Sequence, residues 1–301
     1  EEPYGHSANG TPQSLAKITR DNLVAFHRAH YRPDNAVLVM AGDVKPDRAF
    51  ALAAKLFGSW PKRSGATAAP AAVGPAPDPQ PRRVVVIDMP DAGQASVVVA
   101  KRGIRRGDPS YFRALVANSV LGGGYSARLN QEIRIERGLS YGAGSSFQPR
   151  ASSGPFTARA DTKNESAPEV ARLIVEQMNG LGEVGVPEGE LTPRKAALIG
   201  DFGQSLEATG GIVDRISGLA LYDLPLGEID RYVAGVQSVT AEQLKAFAAA
   251  RMRGDDASIA IAGNAASFIE ALRKQYENVE VSPITDLDLG TAALRVRNGK
   301  E

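Results

Sequence analysis

One stretch of this chain occurs twice. Laid over each other without gaps at an offset of 221 residues, ITRDNLVAFHRAHYRPDNAVLVMAGDV from Ile18 to Val44 falls on VTAEQLKAFAAARMRGDDASIAIAGNA from Val239 to Ala265. Thr19 meets Thr240, Leu23 meets Leu244, Phe26 meets Phe247, Arg32 meets Arg253, Asp34 meets Asp255 and Gly42 meets Gly263. Repetition at one fixed offset marks duplication of a whole domain. The copies differ in what precedes them: residues 83–238 lead into the second, whereas very little leads into the first. The expectation is therefore a piece of a longer two-domain protein, with only the tail of its first domain present. A lone helix–strand–helix would leave its apolar faces uncovered.

Local signals fill in the elements. Thr19 is a fair N-cap for a helix running to about Tyr31, with Leu15, Ile18, Leu23 and Phe26 apolar. RPDN marks a turn, AVLVMAG (36–42) has strand length, and PDRAFALAAKLFG (46–58) opens with proline and closes with glycine as a helix does. Between Ser59 and Arg83, prolines 61, 70, 75, 77, 79 and 81 stand among alanines and glycines, and residues 65–82 read as a semi-rigid linker. Beyond it, VVVIDMP and QASVVVAKRG read as two strands joined by the turn at 90–93, followed by a helix at 109–120. YGAGSSF and PFTARADT, separated by a short turn at 151–154, read as an antiparallel hairpin. Helices are expected at 165–181, 187–206, 211–222, 227–236 and 240–252, the last with a capping box of Thr240 and Gln243. A strand SIAIAG, a helix at 266–276 and a polar, irregular tail at 278–301 complete the reading. The expected division is a first-domain tail at 1–64, the linker, and a complete second domain at 83–277, of α+β class.

Thirty-five basic and 34 acidic side chains leave a formal net charge of +1, which gives no support to nucleic-acid or polyanion binding as the main role. The absence of cysteine excludes disulfides, thiolate zinc sites and cysteine nucleophiles. No apolar run reaches the roughly 20 residues a membrane helix needs, and EEPYGHSANG has neither the basic region nor the apolar core of a signal peptide.

The stretch with unusual chemistry is LGGGYSARLNQEIRIERGLSYGAGSSF, 121–147. Gly122, Gly123 and Gly124 free the backbone and open a helix, Gly138 caps it, and a strand follows. Arg134 then lies near the end of the helix and Tyr141 at the start of the strand, where a tight turn brings two hydrogen-bond donors within reach of a carbonyl oxygen or oxyanion. The plainer alternative is that Arg134 pairs with a helix neighbour near Asn130 or Glu136 and Tyr141 merely begins a strand. Three other patterns fail their tests. Gly138-Leu-Ser140-Tyr-Gly142 matches G-x-S-x-G, but the order is helix, turn, strand, and all three histidines precede the serine. His27 and His30 lack any H-E-x-x-H, and the repeat has Ala248 and Arg251 in their places. The glycine run has no G-K-[ST] after it, so close packing or an approach to substrate suits it better than a nucleotide.

GGGYSARLNQEIRIERGLSYG resembles the signature of the M16 metallopeptidases, the pitrilysin and insulinase group that includes mitochondrial processing peptidase, in their zinc-free domain. PYGH at 3–6, YRPDNAVLVMAGDV at 31–44 and LYDLPLGEIDRYVAGVQSVTAEQL at 221–244 extend the resemblance over nearly the whole chain, in the family's order. It implies two homologous α+β domains, each an antiparallel sheet with helices on one face, closing around a peptide. One domain carries zinc through H-x-x-E-H; the other supplies an arginine and a tyrosine seven residues later, the spacing of Arg134 and Tyr141. It implies that these two hold the substrate carbonyl and support the oxyanion, with Gly122–Gly124 as a substrate-binding loop. H-x-x-E-H occurs nowhere here, so zinc is expected in a missing region or in a separate subunit, and peptide cleavage by this chain alone is not expected. The implied partners are a peptide substrate and a zinc-bearing M16 domain or subunit, in a homo- or heterodimer. A periplasmic location is expected by resemblance to bacterial members, and a purely structural subunit of the same fold is the competing expectation.

Overall fold

The structure, a computed structural model, describes residues 8–62, 81–291 and 293–295. Nearly all of the expected linker, and the PYGH segment, lie outside the described residues. The chain divides into two compact units: residues 8–62 with Asp201–Asp230, and residues 81–200 with 231–295. Asp201–Asp230 thus groups with the N-terminal residues, although the sequence reading assigns it to the second domain.

The first unit contains α1 (Pro12–Leu15), α2 (Arg20–His30) and α3 (Pro46–Phe57). Thr19 caps α2: its hydroxyl accepts from the Asn22 amide at 3.2 Å while Asn22 Oδ1 accepts from the Thr19 amide at 2.9 Å. A 3-10 turn at Pro33–Asn35 occupies the RPDN motif, closed by an Arg32–Asp34 ion pair at 2.6 Å. The strand expected at 36–42 does not form. It has no pairing partner among the described residues, and a strand exists only through its ladder.

The second unit is built on β1 (Val84–Asp88), β2 (Ala95–Arg102), α4 (Tyr111–Leu121), α5 (Arg128–Asn130), a π-helical turn at Gln131–Glu136, β3 (Ser140–Phe147), β4 (Pro155–Thr162) and α6 (Ala167–Glu183). Along the chain then come α7 (Glu188–Glu207), whose end passes into the first unit, α8 (Thr209–Leu221) of the first unit, and α9 (Glu228–Gln237), which returns to the second; α10 (Ala241–Arg251), β5 (Ser258–Gly263), α11 (Ile269–Gln275) and β6 (Val279–Pro283) complete the second unit. Six strands form one sheet in the order β3-β4-β2-β5-β1-β6. The α+β class is as expected, and the sheet is mixed: β3–β4, β4–β2 and β2–β5 are antiparallel, whereas β1 runs parallel to both β5 and β6. β1 and β2, read as neighbours, are separated by β5, which supplies the apolar run each needs beside it. The tail expected to be irregular from Asn278 instead supplies β6, whose Glu280 takes both oxygens to the Arg83 guanidinium at 2.9 and 2.8 Å.

Burial follows from strand alternation. In β4, Phe156, Ala158 and Ala160 are buried while Arg159 and Asp161 are exposed on the opposite face. α6 packs across β2 and β4 with Val170, Ile174, Met178 and Leu181 fully buried, flanked by α4 and α10. Burying such side chains contributes about 1.5–3 kcal/mol each.

The repeat survives in local geometry. α2 and α10 each have 11 residues and the same threonine capping box. The second copy also keeps the Arg–Asp pair, Arg253 to Asp255 at 3.5 Å. The surroundings of the two helices differ: Leu244 and Phe247 are 0% and 6% exposed, their counterparts Leu23 and Phe26 60% and 58%.

Candidate functional site

The glycine run performs two jobs. Gly122 ends α4, and its carbonyl accepts the Ser145 amide at 3.1 Å, so the loop lies directly against β3. A Cβ at Gly122 would stand 2.3 Å from that nitrogen, and one at Gly123 would stand 2.7 Å from Ser119 Cα. Both glycines are there because backbone meets backbone. Gly124 is different: a Cβ there would meet only the Arg194 guanidinium, at 3.9 Å, and the residue lines an open cavity.

The loop is fastened from several sides. Arg194 donates to the Ser126 carbonyl. Arg128 forks onto Glu190 at 2.9 and 2.7 Å and reaches the Gly185 carbonyl at 3.0 Å. Asn130, 4% exposed, joins the loop to the sheet: its Nδ2 donates to the Tyr125 carbonyl at 2.6 Å, and its Oδ1 accepts from the Ala143 amide at 3.3 Å. With Leu129 and Ile133 fully buried on either side, this segment is fixed in rotation.

The helix then widens. Gln131–Glu136 is π-helical, a form concentrated at functional sites, and carries Arg134. Gly138, at φ +62°, ends it as a left-handed cap, with the Gly138 and Leu139 amides donating to the Arg134 and Ile133 carbonyls. β3 starts with an irregularity between Ser140 and Ala143, so Tyr141 falls outside the paired register and is 89% exposed.

A cavity of about 630 Å³ opens where these pieces meet, walled by Gly122, Gly124, Tyr125, Asn130 and Arg134 on one side and by residues of β3 and β4, including Gly144, Arg159 and Asp161, on the other. The Arg134 guanidinium lies over the Tyr125 ring, 4.9 Å from its centroid. Among the described residues no carboxylate pairs with Arg134, and Asn130, the neighbour it was expected to meet in the plainer reading, spends its side chain elsewhere. Tyr141 is not part of the cavity wall, although the next residues, Gly142 and Ala143, are. Arg134, Gly122 and Gly124 therefore share one void, and Gly123 and Tyr141 stand outside its wall.

The rejected patterns are engaged otherwise. Ser140 Oγ lies between the Gly142 and Asp161 carbonyls at 2.7 and 2.6 Å, with no base beside it. His27 stacks on Tyr31 and His30 tilts against Phe26. Among the described residues no three His, Cys, Asp or Glu side chains converge on a metal position, so they do not fit a zinc ion. No described helix is long and apolar enough to cross a membrane.

Sequence reasoning missed Tyr125, Asn130 and Arg159. Asn130 carried a signal, a polar side chain between the apolar positions 129 and 133 of a periodic helix. Arg159 carried another, the alternation of PFTARADT.

Comparison with known proteins adds the family. Residues 17–198 match the family described as Peptidase M16 inactive domain. An uncharacterized zinc protease of Mycobacterium tuberculosis is 31% identical over 251 residues, covering 82% of this chain and 56% of that protein. The uncharacterized zinc protease YmxG of Bacillus subtilis is 26% identical over 247 residues, covering 81% and 58%. The chain thus spans about half the length of the curated relatives it matches. Among solved structures, a peptidase M16 inactive domain from Pseudomonas fluorescens superposes with a TM-score of 0.77 at 31% identity, covering 87% of this chain and 61% of that one. A protease from Helicobacter pylori gives a TM-score of 0.78 at 20% identity, covering 84% and 61%, a likeness of fold. A family match over more than half of the chain, on a sheet and glycine loop of this form, makes this chain a member of the peptidase M16 family, matching its inactive domain.

Proposed function

We propose that this chain is the substrate-holding, zinc-free portion of a peptide hydrolase, completed by a zinc-bearing M16 half located elsewhere. The observation that carries the reading is Arg134: a guanidinium with no carboxylate partner among the described residues, set in a π-turn against an open cavity beside a glycine loop. A guanidinium so placed over an open cavity keeps its donors available to a bound group. In this reading Arg134 and Tyr141 donate to the carbonyl of the bound peptide and to the oxyanion that develops from it, and the glycine loop lets the peptide backbone come close. The exposed Leu23 and Phe26, whose counterparts are buried, support reading residues 8–62 as the tail of a first domain.

The test is reconstitution with a zinc-bearing M16 half and an assay of peptide cleavage for wild type, Arg134→Ala and Tyr141→Phe. Loss of an oxyanion donor costs about 10²–10³-fold in rate. Equal rates for all three proteins would remove the role and leave a structural subunit of the same fold.

A further inference from the structure

A second cation faces the cavity. Arg159 lies on the exposed face of β4, opposite Gly144 in the β3 register, so no neighbouring side chain covers it from that strand. Among the described residues it, like Arg134, has no carboxylate partner. The one acidic wall residue, Asp161, stands two positions along the same strand and pairs with neither arginine. Two guanidinium charges and one carboxylate leave the cavity with one positive charge to balance.

Three neutral donors of the wall are already engaged. The Asn130 amide is spent on Tyr125, the Ala143 amide on Asn130, and the Gly142 amide on Ser140 Oγ at 3.1 Å. Among the side chains left to read a ligand are the two guanidinium groups and the Tyr125 hydroxyl. Guanidinium presents a planar fork that matches a carboxylate in two parallel hydrogen bonds, and it repels a lysine or arginine side chain.

From this geometry we infer that the cavity is a specificity subsite for an acidic side chain of the bound peptide, with Arg159 as the residue that sets the preference. The inference rests on the peptide-holding reading above. A single Asp or Glu carboxylate would bring the cavity to zero net charge. Arg134 holds peptides whatever their sequence, whereas Arg159 distinguishes acidic from neutral ones.

The experiment uses the immobilised 301-residue chain and two pools of N-acetylated, C-amidated decapeptides, randomised except for a central Glu in one and Gln in the other. Blocked ends remove terminal charges, and retained peptide is quantified by mass spectrometry. A charged hydrogen-bonded contact predicts about tenfold higher retention of the Glu pool by wild type. Arg159→Gln brings the ratio of the two pools close to one, and Arg134→Gln lowers retention of both. A wild-type ratio near one with both pools retained overturns the subsite and leaves peptide holding intact. A ratio that persists in Arg159→Gln also overturns it. If neither pool is retained above bare resin, the subsite and the peptide-holding reading fall together.

Discussion

Asn130→Ala should unfold the unit that contains it at a clearly lower temperature while leaving every charge in place. The side chain is 4% exposed and bridges two backbone groups, at 2.6 Å to the Tyr125 carbonyl and 3.3 Å from the Ala143 amide. Alanine leaves both groups without a partner, and each unsatisfied group costs about 1–3 kcal/mol, the longer bond falling at the low end. The sum is about 2–4 kcal/mol. For a unit of this size that corresponds to a fall in Tm of about 4–16 °C, read by circular dichroism or calorimetry. Asn130→Asp refines the test. A carboxylate there would face the Tyr125 carbonyl, raising its folded pKa above the unfolded value of about 3.9. The folded variant then binds more protons than the unfolded one, so its deficit against wild type grows as pH rises from about 4. An Asn130→Ala protein melting within about 1 °C of wild type would refute the bridge and the argument that it positions the loop.

Gly122→Ala forces a Cβ to within 2.3 Å of the Ser145 nitrogen and should cost about 2–3 kcal/mol in urea unfolding, whereas Gly124→Ala, with open space around it, should cost less than about 1 kcal/mol. Equal losses would refute the division of labour in the glycine run. Leu244→Ala should destabilise by about 2–5 kcal/mol and Leu23→Ala, at the equivalent but exposed position, by less than about 0.5 kcal/mol in this chain. The Arg83 hydrogen bonds hold the Glu280 carboxyl below its ordinary pKa, so the pair's contribution is complete above the usual glutamate range and disappears as pH falls through the depressed value. Both side chains are more than a third exposed, so Glu280→Gln should cost less than about 1 kcal/mol at pH 7, with the difference vanishing in acid.

Much of the fold is legible in local chemistry. The threonine boxes at 19 and 240, Pro46 with Gly58, and the short connection at 151–154 each dictate an element because the governing interaction spans four residues or fewer. Pairing order is not local. Nothing within 84–102 says that β5, more than 150 residues later, will come between β1 and β2. The stretch at 36–42 has the composition of β5 and still makes no strand, since the ladder is a property of neighbours. β6 was hidden by polarity: its Glu280 is satisfied by Arg83, a partner 197 residues away. At the candidate site, Arg134 drew notice because glycines and a cap surround it, and only the family resemblance gave its spacing to Tyr141 a meaning. Arg159 was not, because its importance comes from the cavity that β3, β4 and the loop enclose together.

The outer margin of β3 has one more implication. A terminal strand ordinarily offers its spare amides to any extended chain that passes, which is how sheets recruit guests and how they clump. Here the Ala143 and Ser145 amides are already taken by the protein's own Asn130 and Gly122. A visiting peptide therefore finds these two amides closed to it along that part of the margin, and its grip has to come from donors outside the ladder. The same two amides are equally closed to a strand from a second copy of the chain.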